Sequence, residues 1–365
     1  MRCTIHSNHR AAWGLTLVLA AGCDQVSIPP VALPDLAQVV DVATPQSADL
    51  TTPALACPGA GVVKLAEGAD GTMRDGTLLV GDGEYAALWS TVMPQDSPLR
   101  FTRVALDGRI LLPQTVVPGR SGLLARGAAG YGILDCESAN PGTVLSPLSP
   151  AGKLQGPPGP APAGTLCPDG VSASHPGQRA RVAVQNNQVL LSRFGLDGAP
   201  LGAPLRLTEA SMEQNVGGLR LAAGPALNSY GVVFHQADPN NARRVDLRFC
   251  AVAADGGVTC RTVLPSFAWY RASPAFVALP DGYAVAVADS RGMLSGYNTH
   301  LQVHRLSPTG ERLRSREVAE VNPGETLRAA WDGAQGRLGI LWTSRWLEQT
   351  GAERSEALLA PCLDL

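Results

Sequence analysis

The chain has 365 residues, of which 16% are charged, with 29 Lys and Arg against 31 Asp and Glu. Without Arg2 and Arg10 the balance is 27 to 31, which argues against nucleic acid as a partner. Forty glycines and 29 prolines mark a chain with many turns, and the widely spaced eight cysteines include no CxxC of the kind zinc clusters use.

In chain order, Arg2 and Arg10 precede an apolar run from Ala11 to Gly22 and then Cys23. The run falls short of the about 20 apolar residues a bilayer span needs. Its positive start, apolar middle and small-residue end are those of an export signal. Leu19, Ala20, Ala21, Gly22 and Cys23 resemble the bacterial lipoprotein signal, with Ala20 where that family prefers Leu. The resemblance implies that 1–22 is a signal peptide and that Cys23 becomes the first mature residue. It would carry a diacylglyceryl thioether and an N-acyl chain such as palmitate, enough for stable anchoring where one chain is not. The implied location is the bacterial cell envelope, in the inner or outer membrane and facing periplasm or exterior. Asp24 leaves the leaflet open, and an ordinary signal peptide with a nearby free cysteine is the alternative.

Residues 23–56 read as a lipid-anchored tether. From position 24 on they contain no Lys or Arg, four Asp (Asp24, Asp35, Asp41, Asp49) and Pro29, Pro30, Pro34, Pro45 and Pro53. Such a segment is an extended, partly polyproline spacer reaching roughly 100 Å at most. Packing of part of it as an edge strand is the alternative.

Six cysteines remain beyond the anchor: Cys57, Cys136, Cys167, Cys250, Cys260 and Cys362. An even number in an exported chain argues for disulfides, with fifteen possible pairings. Cys250 and Cys260 are symmetric about Asp255, as residues opposite each other in a hairpin would be, and that pair is favoured. Cys57 with Cys362 would close the folded region on itself, leaving Cys136 with Cys167.

Residues 57–365 contain a repeat. A turn follows a hydrophobic strand at Gly108, Gly152, Gly198, Gly256 and Gly310, spaced 44 to 58 residues apart. Glycine supplies the positive φ that a tight hairpin needs. A short apolar strand precedes each turn: Tyr85–Trp89, Tyr131–Asp135, a weaker copy from Arg181, Tyr230–Phe234 and Tyr283–Val287, with Leu338–Trp342 in a sixth unit. This sixth unit begins near Leu327 and lacks a last strand, which 61–68 could supply. The pattern predicts an all-β fold and resembles β-propellers generally. Six blades are favoured, with a seven-bladed propeller, a two-sheet sandwich array or another β-repeat array as alternatives. The Pro-rich stretch 156–164 reads as an insertion or connection between units two and three.

No catalytic motif stands out. Trp89 and Trp342 end equivalent strands and read as packing between blades, each indole N–H bonded to backbone. Trp269, Tyr270 and Trp346 fall in predicted loops and are the recognition candidates. Asp82, Asp238, Asp281 and Asp289 show no spacing that makes a glycosidase pair. Asp238–Asn241 reads as a turn rather than a calcium loop. His235 and His304 lie on apolar strands without a ligand partner. Ser121 and Ser146 are not in a nucleophile elbow. No phosphate or dinucleotide fingerprint is present, so no cofactor and no metal are expected. The function expected is that of a monomeric envelope lipoprotein whose ring binds a protein or glycan without catalysis. The alternative is a hydrolase or lyase acting on envelope or extracellular polysaccharide.

Overall fold

Alternating apolar and polar residues, broken every few positions by Gly, Asp or Asn, leave this chain few options but short strands and tight turns. The computed structural model describes residues 61–68, 72–92, 98–118, 122–127, 130–135, 144–160, 171–208, 216–238, 241–267, 273–290, 299–321, 323–347 and 353–363. They form 24 strands in six four-stranded antiparallel sheets, with no helix among the described residues. The arrangement is a six-bladed β-propeller, and the seven-bladed and sandwich alternatives fall away.

After β1 (Val63–Gly68) come five blades built from consecutive strands. Blade 1 is β2 (Thr72–Gly81), β3 (Glu84–Val92), β4 (Leu99–Ala105) and β5 (Ile110–Val117). Blade 2 is β6 (Leu123–Gly127), β7 (Gly130–Asp135), β8 (Val144–Leu148) and β9 (Gly159–Pro160). Blade 3 is β10 (Ser172–His175), β11 (Gln178–Gln185), β12 (Gln188–Gly195) and β13 (Leu205–Arg206). Blade 4 is β14 (Val216–Ala223), β15 (Tyr230–Asp238), β16 (Asn241–Val252) and β17 (Val258–Phe267). Blade 5 is β18 (Ala275–Leu279), β19 (Gly282–Ser290), β20 (Thr299–Leu306) and β21 (Arg312–Val321). Blade 6 takes β22 (Pro323–Asp332), β23 (Arg337–Leu347) and β24 (Glu353–Leu363) from the C-terminus and β1 from the N-terminal side, in the order β1-β24-β23-β22. Val63 pairs with Leu359 and Lys64 with Leu358, so 61–68 does complete the sixth sheet.

The recurring glycines make one turn five times. Gly108, Gly152, Gly198, Gly256 and Gly310 have φ between 74° and 92°. Each donates its N–H to the carbonyl three residues back, and that earlier residue donates to the carbonyl just after the glycine. This is a three-residue hairpin loop closed by a left-handed glycine. Asp107, Asp197 and Asp255 lock it by accepting the N–H two residues on, and Ser149 and Ser307 accept the corresponding N–H in blades 2 and 5. In blade 4 the same turn places Cys250 opposite Cys260, and the two are joined by a disulfide with Cα atoms 4.1 Å apart.

The second strand of each blade is the recurring apolar segment. Its inter-strand frame aligns Tyr85, Tyr131, Tyr230, Tyr283 and Leu338, and places Arg179 rather than Arg181 at the matching position of blade 3. The next residue is small in every blade: Ala86, Gly132, Ala180, Gly231, Ala284 and Gly339. The reason is contact between blades. A Cβ on Gly231 would lie 2.5 Å from Cε1 of Tyr283 in blade 5, and one on Gly339 would run into the Tyr85 ring in blade 1. The apolar core accordingly lies between blades. Separate buried clusters join blades 1 and 2, 3 and 4, 4 and 5, 5 and 6, and 6 and 1.

Three sequence expectations are corrected. Unit six starts at Pro323, not near Leu327, because β22 continues past a bulge. Gly159–Pro160 is the edge strand β9 of blade 2, paired with Leu145 and Val144, rather than part of an insertion; an edge tolerates proline because one side of it needs no N–H. Trp346 lies in β23 opposite Arg354, not in a loop, because β23 runs on to Leu347.

Candidate functional site

The first strands of the blades line the centre. β2 packs against β6 and β22, β18 against β22 and β14, and β14 against β10. Their residues fall into levels set by the pairing with the second strands. Thr77 pairs with Leu88, Leu123 with Leu134, Arg220 with Val233, Ala275 with Ala286 and Arg328 with Leu341. Each partner lies three residues beyond its blade's Tyr or Leu marker, so these residues stand at one height around the ring.

A cavity of about 170 Å³ sits at this height. Its polar lining is Thr77, Ser172, Arg220 and Arg328, and Leu78 and Phe276 are its larger apolar members. The two arginines come from blades 4 and 6 and flank Phe276 of blade 5. Each guanidinium donates from Nη1 to the carbonyl of the preceding residue, Leu219 at 2.7 Å and Leu327 at 2.9 Å. Bulges interrupt the pairing beside the site in blades 1, 4 and 6: between Arg74 and Thr77, Gly217 and Arg220, and Pro323 and Leu327. Such bulges re-aim side chains. The Phe276 ring is stacked at 5.2 Å on Tyr283, which fixes its orientation. The Thr77 hydroxyl is buried and has no hydrogen-bond partner among the described residues.

His235 stands behind Arg220. It lies in β15 opposite Gly217, and a Cβ on Gly218 would come within 2.8 Å of its Nδ1. Burial, with a smaller push from the Arg220 charge, lowers its pKa to about 3 and keeps the imidazole neutral. His304 in β20 is also buried, and its Nδ1 is 2.7 Å from Ser315 Oγ. Burial and then Arg312 lower its pKa to about 4.

The acidic candidates do not come together. Asp82 and Asp281 sit in the turns between first and second strands, paired with Arg126 and Arg305. Asp238 and Asp289 lie at the C-terminal ends of β15 and β19, away from those turns. Asp238 pairs with Asn241 where β15 meets β16, the two residues between them lie outside the described residues, and no group of three or more potential metal ligands occurs among the described residues. Trp89 and Trp342 are buried as expected, but their indole nitrogens have no hydrogen-bond partner among the described residues instead of bonding backbone. Trp269, Tyr270, Cys23, Cys57, Cys136, Cys167 and Ser121 lie outside the described residues, and Cys362 falls in β24.

Sequence reasoning missed Arg220 and Arg328. The signal was present in Leu219-Arg220-Leu221-Ala222-Ala223 and Leu327-Arg328-Ala329-Ala330, each an arginine inside an apolar strand.

No family model and no curated protein sequence matches this chain. Among solved structures it is similar to the subtype N11 neuraminidase-like protein of a flat-faced bat strain from Peru, at 10% identity and a TM-score of 0.42, covering 82% of this chain and 92% of that one. It is also similar to the catalytic domain of the Coprinopsis cinerea GH62 α-L-arabinofuranosidase (12% identity, TM-score 0.38, 61% and 86% covered). A thermostable family-43 glycoside hydrolase matches at 8% identity and a TM-score of 0.35, with 81% and 90% covered. Likeness at this level concerns the fold. The expectation of a partner-binding ring without catalysis is nevertheless corrected: these neighbours are, by name, neuraminidase-like proteins and glycan-acting enzymes.

Proposed function

We propose that this chain is a propeller enzyme, a hydrolase or lyase, that acts on envelope or extracellular polysaccharide. The observation that carries the reading is the cavity where the first strands of five blades converge, lined by guanidiniums, hydroxyls and an oriented aromatic ring. A few convergent polar groups on an otherwise apolar concave wall suit a small ligand such as one sugar unit. The test is incubation of the purified protein with a panel of neutral and acidic polysaccharides, reading new reducing ends and the ultraviolet absorbance of unsaturated products. Bond cleavage is expected with at least one polymer and is expected to fall in Arg328→Ala. Absence of cleavage across the panel overturns the proposal.

The setting belongs to the same proposal: export, lipid on Cys23, and a spacer over 23–56 holding the ring at the cell envelope. Mass spectrometry of the mature protein is expected to find acylated Cys23 as its first residue, and an unmodified Cys23 overturns the anchor.

A further inference from the structure

Blade 3 breaks the packing rule of the ring. Two residues beyond the Tyr or Leu marker of the second strand, the other blades carry Ala87, Ile133, Val232, Val285 and Ile340, each buried against the preceding blade. Blade 3 carries Arg181 there, exposed in the middle of β11 between buried Ala180 and Val182. Ala180 and Val182 pack toward blade 4, so period-two alternation turns Arg181 to the other face, on the side of blade 2. Among the described residues no buried apolar cluster joins blades 2 and 3, whereas each of the other five junctions has one. Two residues further on, where Trp89, Phe234 and Trp342 fill other junctions, blade 3 has the small Ala183. The change of character extends along a row. Ser172 of β10, Arg181 of β11 and Ser192 of β12 stand side by side, and both serines are half-buried. At the level of Ser172 the first strands of the other blades have Leu78, Leu124, Leu221, Phe276 and Ala329, all apolar. Ser172 also lines the cavity. The row therefore starts at the cavity and runs outward across blade 3, one hydrogen-bonding side chain per strand at a spacing of about 4.8 Å.

We infer that a glycan chain with one unit in the cavity lays its next units along Ser172, Arg181 and Ser192, which makes the blade 2 side of blade 3 a track for a polymer. This rests on the proposed glycan-acting function and deepens it: the substrate class is a chain gripped over several units, not a free sugar. The cavity of about 170 Å³ suits a single unit, so a polymer bound there has to continue beyond it. The strand spacing is comparable to the rise of one sugar unit in an extended chain, so successive units meet successive side chains. Serine hydroxyls donate and accept while a guanidinium donates, a mix that matches sugar hydroxyls, which do both. Apolar residues at the corresponding positions of the other blades offer no such row.

The experiment is calorimetric titration of the purified protein with size-graded oligosaccharides, from disaccharides upward, made by partial acid hydrolysis of each polymer in the cleavage panel. Affinity is expected to rise with chain length. Arg181→Leu, which gives blade 3 the kind of residue its neighbours have, is expected to weaken binding of the longer chains on the order of 10- to 100-fold, the range for one hydrogen bond to a charged group. Ser192→Ala, one strand farther out, is expected to cost about 3- to 10-fold and to begin doing so at a greater chain length than Arg181→Leu. Melting temperatures are expected to stay at the parent value, and Arg181→Gln carries the test if the leucine variant fails to fold. Affinity that does not depend on chain length, a length dependence left intact in both Arg181 variants, or no binding of any oligosaccharide overturns the inference. A lowered melting temperature with the length dependence intact makes Arg181 a packing residue and overturns it too. Cleavage of short and long chains with equal efficiency would sink this inference and leave the proposed function standing. Length-graded binding that the Arg181 variants flatten, with no cleavage of any polymer, would do the reverse.

Discussion

At the scale of single residues, two histidines tie stability to pH. His235 and His304 are buried and neutral, with pKa values lowered to about 3 and about 4 from an ordinary value near 6.5. The unfolded chain takes up protons on both below about pH 6.5, while the folded chain does not. Their contribution is therefore complete above that pH and is lost as pH falls toward the folded values. Denaturant melts between pH 7 and pH 4 are expected to show a stability loss of roughly a few kcal/mol, smaller in His304→Gln, whose side chain can still meet Ser315. A profile in His304→Gln as steep as the parent's would contradict this. Neither histidine's burial was legible beyond its apolar strand, because burial depends on which blade packs against that strand.

At the scale of elements, the repeated turn separates backbone cost from packing cost. Gly198 and Gly310 have nearly the same φ, 84° and 83°. A Cβ at Gly198 meets nothing within 4 Å, whereas one at Gly310 runs into the Phe249 ring of the neighbouring blade. Gly198→Ala is expected to cost about 1–2 kcal/mol, the price of a left-handed alanine. Gly310→Ala adds overpacking of about 1–3 kcal/mol. Thermal melts of the two variants measure the difference, and equal losses would mean that the blade contact is slack. The turn itself was readable, since Asp-Gly or Ser-x-x-Gly after an apolar strand is a local chemical requirement. The clash at Gly310 was not, because Phe249 belongs to a different blade.

At the scale of the whole molecule, closure depends on β1. It covers the open edge of β24, and its Leu65 and Ala66 join the cluster shared by blades 6 and 1. Without it, β24 becomes an unpaired edge with a row of free N–H and C=O groups. Deleting 61–68 is expected to lower the melting temperature and to produce oligomers in light scattering. A monomer of unchanged stability would show that β24 needs no cover. The antiparallel pairing of β1 with β24 sets Val63, the first residue of β1, opposite Leu359, near the Cys362 end of β24. Non-reducing peptide mapping is thus expected to link Cys57 to Cys362, and a free Cys362 would refute that staple.

The sequence by itself determined most of the units: the left-handed glycine turns, the Tyr- or Leu-led second strands of five blades, the register of Cys250 on Cys260 and the missing strand supplied by 61–68. These follow from φ restrictions and period-two alternation, which act over a few residues. Only the tertiary structure decided the site. Thr77, Ser172, Arg220 and Arg328 are widely separated along the chain. Thr77, Arg220 and Arg328 share one cavity because ring closure sets equivalent positions of different blades at one height, and Ser172 joins them from the neighbouring position of blade 3. No spacing in the sequence encodes which first-strand side chains face that common volume.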